Sequence, residues 1–168
     1  MKLLAYEVDK RSFLGVLNED ETWVYPVSAA GMEYRSMKDL IREAGPSEME
    51  MLDYISKKAP GDVMGAAPVD EIRVVSPIAE PDQDIICLGI NYMDHAEESA
   101  RFEKRAFEKP EKAIYFSKRV NRTNDPDGII PAHKNLTNQL DYEAELAVII
   151  KKDAKDVKPG EKRTIFSA

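Results

Sequence analysis

Disulfide chemistry is almost absent from this chain: it has a single cysteine, Cys87, in 168 residues. No disulfide framework can be built from one thiol, and a reducing cytoplasm is the compartment this predicts. Long apolar runs are missing as well. None approaches the roughly 20 residues a membrane-spanning helix needs. The opening "MKLLAYEVDKRSF" reaches an acid at Glu7 and has no extended apolar core, so it does not read as a secretory signal. Nor is there an excess of positive charge. With 24 Lys and Arg against 31 Asp and Glu the net charge is −7, which argues against a nucleic-acid backbone as partner. Repeats of 20–50 residues and low-complexity tracts are missing too. What remains is the composition of a globular chain, 43% hydrophobic and 33% charged.

Residues 1–75 have a pattern of their own, that of a small α+β module. "KLLAYEV" and "SFLGVLNEDETWVYPV" predict short strands, with Asn18, Glu19, Asp20 and Glu21 as the polar turn between apolar stretches. "SMKDLIREA" begins at a serine in capping position and meets Gly45-Pro46, so it predicts a helix with both end signals. A second helix is predicted in "PSEMEMLDYISKKAPG", with Met51, Leu52 and Ile55 on its apolar face. "EIRVVSPI" predicts a strand that Pro77 ends or confines to a sheet edge. The module holds no cluster of His, Cys or acids with a chemical logic, which predicts a structural or dimer-facing role.

The second part, residues 76–168, carries the chemistry. "DIICLGINY" and "KAIYFSKRV" predict strands, "MDHAEESARFEKRAF" a polar segment with helical character, and "NRTNDPDG" a loop of turn formers. In "DYEAELAVII" we expect a strand over 143–150, with no evident partner after it. Residues i and i+2 of a strand share a face roughly 6.5–7 Å apart, so Glu143 and Glu145 would project together. Two oxygen donors on one strand suit a hard cation such as Mg²⁺, Mn²⁺ or Ca²⁺. By itself the pattern is also that of an exposed strand face. His95 and Glu98 stand one helical turn apart, and a carboxylate beside an imidazole fixes its tautomer and raises its basicity, as a general base requires. The same pair also fits a solvated helix start. Lys118 closes a predicted strand, where it reads as an oxyanion partner or as a surface lysine. His133 has no paired acid and reads as structural.

Three stretches taken in order, "DIICLGINYMDHAEES", "AIYFSKRVNRTNDPDGIIPAH" and "NQLDYEAELAVIIKKDAKDV", resemble the fumarylacetoacetate hydrolase family from about Asp84 to about Val157. The resemblance implies a small N-terminal α+β module followed by the first part of a mixed, β-rich catalytic fold. It implies a Mg²⁺- or Mn²⁺-dependent enzyme that hydrolyses, decarboxylates or isomerises 2-oxo or 2-enol acids. On that resemblance Glu143 and Glu145 are metal ligands, His95 and Glu98 the dyad that activates water, and Lys118 a residue that positions the substrate oxyanion. The family's third ligand, an aspartate, is expected on a strand past Ala168, and a glycine common after the strand is here Lys151. The expected partners are a small 2-oxo acid and a second copy of the chain, with no nucleic acid and no membrane. With two carboxylates, the 168 residues alone are expected to hold metal loosely and not to be an active monomer. The competing expectation is a non-catalytic assembly or regulatory subunit.

Overall fold

The computed structural model describes residues 1–89, 92, 97, 112–158 and 165–167. The chain divides into two compact units, Met1–Ala79 with Asn124–Ala168, and Glu80–Thr123.

A five-stranded antiparallel sheet is the centre of the first unit. Its strands are β1 (Leu3–Val8), β2 (Arg11–Leu17), β3 (Trp23–Pro26), β4 (Ala67–Pro68) and β5 (Arg73–Val75), in the order β4-β3-β2-β1-β5. The β2–β3 turn is held by Asn18, whose Oδ1 accepts from the N–H groups of Thr22 (2.9 Å) and Trp23 (3.0 Å). That is the short-range side-chain bonding that makes Asn a turn former. β5 pairs with β1 and lies at the sheet edge, where its neighbour Pro77 costs no ladder bond.

Two helices cover the sheet. α1 (Met37–Glu43) starts at Ser36, whose Oγ accepts from the Asp39 N–H at 3.2 Å. α2 (Pro46–Ser56) has Pro46 in its first turn, where proline's missing N–H is harmless, and Glu48 Oε2 accepts from the Gly45 N–H at 3.0 Å. A bond from its own backbone N–H, then those from Ser47 Oγ and the Gly45 N–H, hold the Glu48 carboxyl below its usual range. Gly45-Pro46 therefore ends one helix and opens the next. Leu52 and Ile55 face the core with Leu40, Val16 and Tyr25, and the Tyr25 hydroxyl donates to the Lys58 carbonyl at 2.7 Å. Met51 departs from the expected face: it sits one position off the 52/55/56 stripe and is exposed.

The C-terminal piece of this unit contributes β8 (Val148–Ile150) and β9 (Ile165–Ser167), an antiparallel pair. Two expectations are corrected here. The strand does not span 143–150; it begins at Val148, because β9 supplies a ladder of only three residues, registered Val148↔Ser167 to Ile150↔Ile165. And β8 is not without a later partner, since β9 pairs with it. Ile149 packs against the main core, while Val148 and Ile150 face outward.

In the second unit β6 (Ile85–Gly89) and β7 (Ile114–Lys118) form an antiparallel ribbon, registered Ile85↔Lys118 to Gly89↔Ile114. Ile86 and Tyr115, each 66% exposed, leave its apolar character open to solvent. No helix among the described residues is long and apolar enough to cross a membrane. The architecture is α+β and sheet-rich, as expected.

Candidate functional site

Glu143 and Glu145 lie in the irregular stretch 141–147 that leads into β8, and both are exposed. The expectation that one rigid strand sets their spacing is thus replaced by an irregular segment that is anchored at its two ends. Upstream, Asp125 opens the turn Asp125-Pro126-Asp127-Gly128, closed by the Gly128 N–H donating to the Asp125 carbonyl at 3.0 Å. Pro126 presets the second position, and Asp127 takes the left-handed third position at φ 59°. Downstream, the Lys151 ammonium donates to the carbonyl of Ala44 at the C-terminal cap of α1. A lysine there satisfies a carbonyl that the helix itself leaves open. Lys151, which stands where the resemblance implies a glycine, therefore has a specific structural contact.

Lys118 is the last residue of β7; its side chain is exposed, and its ammonium lies 5.8 Å from the centroid of the Phe116 ring on the same strand face. His95 and Glu98 lie outside the described residues. His133 occupies a turn at φ 43°, where its carbonyl accepts from the N–H groups of Leu136 (2.7 Å) and Thr137 (3.1 Å).

A hard divalent cation fits the carboxylates of Glu143 and Glu145 in kind, since both are oxygen donors open to solvent. In number they fall short by themselves: among the described residues no group of three or more His, Cys, Asp or Glu side chains is placed to hold a metal.

Sequence reasoning missed three residues of this region. Arg73, on β5, donates to Asp125 from Nη2 and to Glu7 from Nη1, each at 2.7 Å. The turn around Asp125 was readable from its Asp-Pro-Asp-Gly sequence; its bond to a residue 52 positions earlier was not.

Comparison with known proteins bears on the same segment. Residues 84–165 match the model of the fumarylacetoacetate (FAA) hydrolase C-terminal domain. Oxaloacetate tautomerase YisK of Bacillus subtilis is 31% identical over 162 residues, which cover 90% of this chain and 52% of that protein. An uncharacterized protein of Staphylococcus epidermidis is 26% identical over 170 residues, covering 95% of this chain and 54% of its own. Among solved structures, the fumarylacetoacetate hydrolase of Exiguobacterium antarcticum superposes with a TM-score of 0.59 at 27% identity, covering 95% of this chain and 50% of that one. The chain spans about half the length of the relatives it matches. Two of these relatives are named as enzymes, a tautomerase and a hydrolase. The motif order, the domain match and the shared fold together place this chain in the fumarylacetoacetate hydrolase family.

Proposed function

We propose that the native protein carrying this chain is a divalent-metal-dependent enzyme of 2-oxo and 2-enol acids, with keto–enol isomerisation of a dicarboxylate such as oxaloacetate as its leading reaction. The observation that carries the reading is the Glu143-x-Glu145 pair, two exposed oxygen donors inside the segment that matches the family's C-terminal domain. The 31% identity to a relative named as an oxaloacetate tautomerase favours isomerisation over C–C bond hydrolysis or decarboxylation.

Glu143 and Glu145 would hold Mg²⁺ or Mn²⁺ through their carboxylate oxygens. When bound, the cation supplies a Lewis acid for the 2-oxo and carboxylate oxygens of the substrate. His95 serves as the proton-transfer base: one imidazole nitrogen takes the proton from substrate C3 in isomerisation, or from water in hydrolysis. Glu98, three residues on in sequence, fixes the imidazole tautomer and stabilises its protonated form. Lys118 contributes a positive charge that orients the substrate's developing oxyanion. In isomerisation the proton lost at C3 is matched by one delivered to the 2-oxygen, so no co-reactant is consumed.

The test is turnover by the native protein on oxaloacetate, followed by the ultraviolet absorbance of its enol, and on acylpyruvates in parallel. Enolisation that chelator abolishes and Mn²⁺ restores is expected. Turnover indifferent to chelation would remove the metal from the proposal, and turnover of acylpyruvates alone would replace isomerisation with hydrolysis.

A further inference from the structure

The family-matched segment bearing Glu143 and Glu145 is tied to the N-terminal sheet by one specific polar junction. Arg73 stands on the edge strand β5, directly opposite Glu7 of β1 in the antiparallel register. Opposed residues share a face with Cβ atoms about 5 Å apart, so the Glu7 carboxylate is placed by the ladder itself to hold one arm of the guanidinium. Nη1 of Arg73 takes that contact at 2.7 Å, which leaves Nη2 aimed outward, where it donates to Asp125 Oδ2, also at 2.7 Å. The other oxygen, Asp125 Oδ1, accepts from the backbone N–H of Ser76 at 3.0 Å, just past the end of β5. Both oxygens of one carboxylate are thus engaged by β5 and its continuation.

The burial of the partners fits a junction rather than a chance surface pair. The Arg73 side chain is 63% exposed, but Asp125 is only 20% exposed, so its carboxylate has given up most of its water for these bonds. The turn that follows is stiffened by Pro126 and closed by the Gly128 N–H to Asp125 carbonyl bond. Asp125 is therefore fixed on both sides: its side chain by the sheet, its main chain by the turn. A planar guanidinium can serve two carboxylates in fork geometry; an ammonium cannot do so equally well. At its other end the segment is held by Ile149 in the core and Lys151 on the Ala44 carbonyl.

We propose that Arg73, oriented by Glu7, clamps Asp125 to the N-terminal sheet and thereby positions the segment that presents Glu143 and Glu145. Arg73 is a positioning residue acting through Asp125. The module of residues 1–75 then has a task in the chemistry, as the rigid platform from which the ligand segment is hung. The link to metal binding rests on the ligand role proposed above for Glu143 and Glu145; the clamp itself does not.

The experiment compares the native protein with its Arg73→Ala, Arg73→Lys and Asp125→Asn variants by three readouts. These are amide exchange at Gly128, the rate of tryptic cleavage after Lys134, and Mn²⁺ affinity. Arg73→Ala is expected to speed exchange and cleavage several-fold and to weaken Mn²⁺ several-fold, while exchange at Val16 and Leu52 in the core stays unchanged. Asp125→Asn should do the same, and Arg73→Lys should recover part of the loss. Unchanged exchange and cleavage in Arg73→Ala would overturn the clamp, as would an equal acceleration at Val16 and Leu52. Absence of Mn²⁺ binding in the unmodified protein overturns the ligand role of the two glutamates, and the exchange and cleavage rates still decide the clamp.

Discussion

Gly15 sits in the middle of β2, paired with Leu4 on one side and Pro26 on the other. A Cβ added there would lie 2.3 Å from Val24 Cγ2, 2.9 Å from Tyr6 Cε1 and 3.2 Å from the Tyr25 carbonyl oxygen. Carbon atoms rest best at about 3.5–4.0 Å, so the first contact alone is more than 1 Å too close by rough count. Val24 cannot yield easily: it is fully buried, and its β-branched side chain has few rotamers to choose from. Overpacking of this kind costs typically 1–3 kcal/mol, and the depth of this clash puts Gly15→Ala near ~3 kcal/mol. Reduced freedom of the unfolded chain offsets roughly 0.4–1 kcal/mol, leaving about 2 kcal/mol net. With a urea slope of about 1.5 kcal/mol/M, the unfolding midpoint falls by about 1.3 M. Trp23, the sole tryptophan, packs against the neighbouring core of Val16 and Tyr25 and reports the transition by its fluorescence. Gly61→Ala is the control, since its Cβ meets nothing within 4 Å. Coincident midpoints for the two variants would refute the packing argument.

Two further outcomes follow from the same structure. Burial, followed by the negative charges of Asp20 and Asp62, pushes the Tyr25 hydroxyl above its ordinary 10.0, so the fold favours its neutral form. That stability is fully present below about pH 10 and is lost as pH rises through the folded value, because the unfolded chain releases its proton first. Urea midpoints taken at rising alkaline pH should therefore fall for the unmodified protein and fall less for Tyr25→Phe, which at neutral pH costs about 1 kcal/mol through the lost bond to the Lys58 carbonyl. In turnover assays His95→Ala should lose roughly 10²–10⁴-fold in rate and Glu98→Ala less, and the His95 variant's pH–rate profile should lose the dependence that the imidazole gives the unmodified protein. A full rate with an unchanged profile would move the proton transfer to another residue.

The N-terminal half of the fold was legible because its signals are local. Ser36 three residues before an acid, Gly45-Pro46 between two helical patterns, and Asn18 at a polar turn each determine structure within a few positions. Edge placement of β5 followed from Pro77 in the same way. What stayed hidden depends on distant partners. The onset of β8 is set by β9, whose pairing no local pattern announces. Met51 carries the same hydrophobicity as Leu52, and only the packing of α2 decides which of them is buried. For the candidate site, the residue types at 143 and 145 were readable as donors, but their setting was not. It is fixed by Arg73, Asp125 and Lys151, through contacts spanning 52 positions to Asp125 and 107 from Lys151 to Ala44.

The measurement that bears most directly on the ligand role is Mn²⁺ binding followed by electron paramagnetic resonance, on the native protein and on Glu143→Gln and Glu145→Gln. Loss of an outer partner of a metal ligand typically costs 10–100-fold in affinity, so loss of a ligand should cost about tenfold or more. The account predicts that each substitution weakens Mn²⁺ to that extent while the Trp23 unfolding midpoint stays where it was. Mn²⁺ bound equally well by both variants would contradict it.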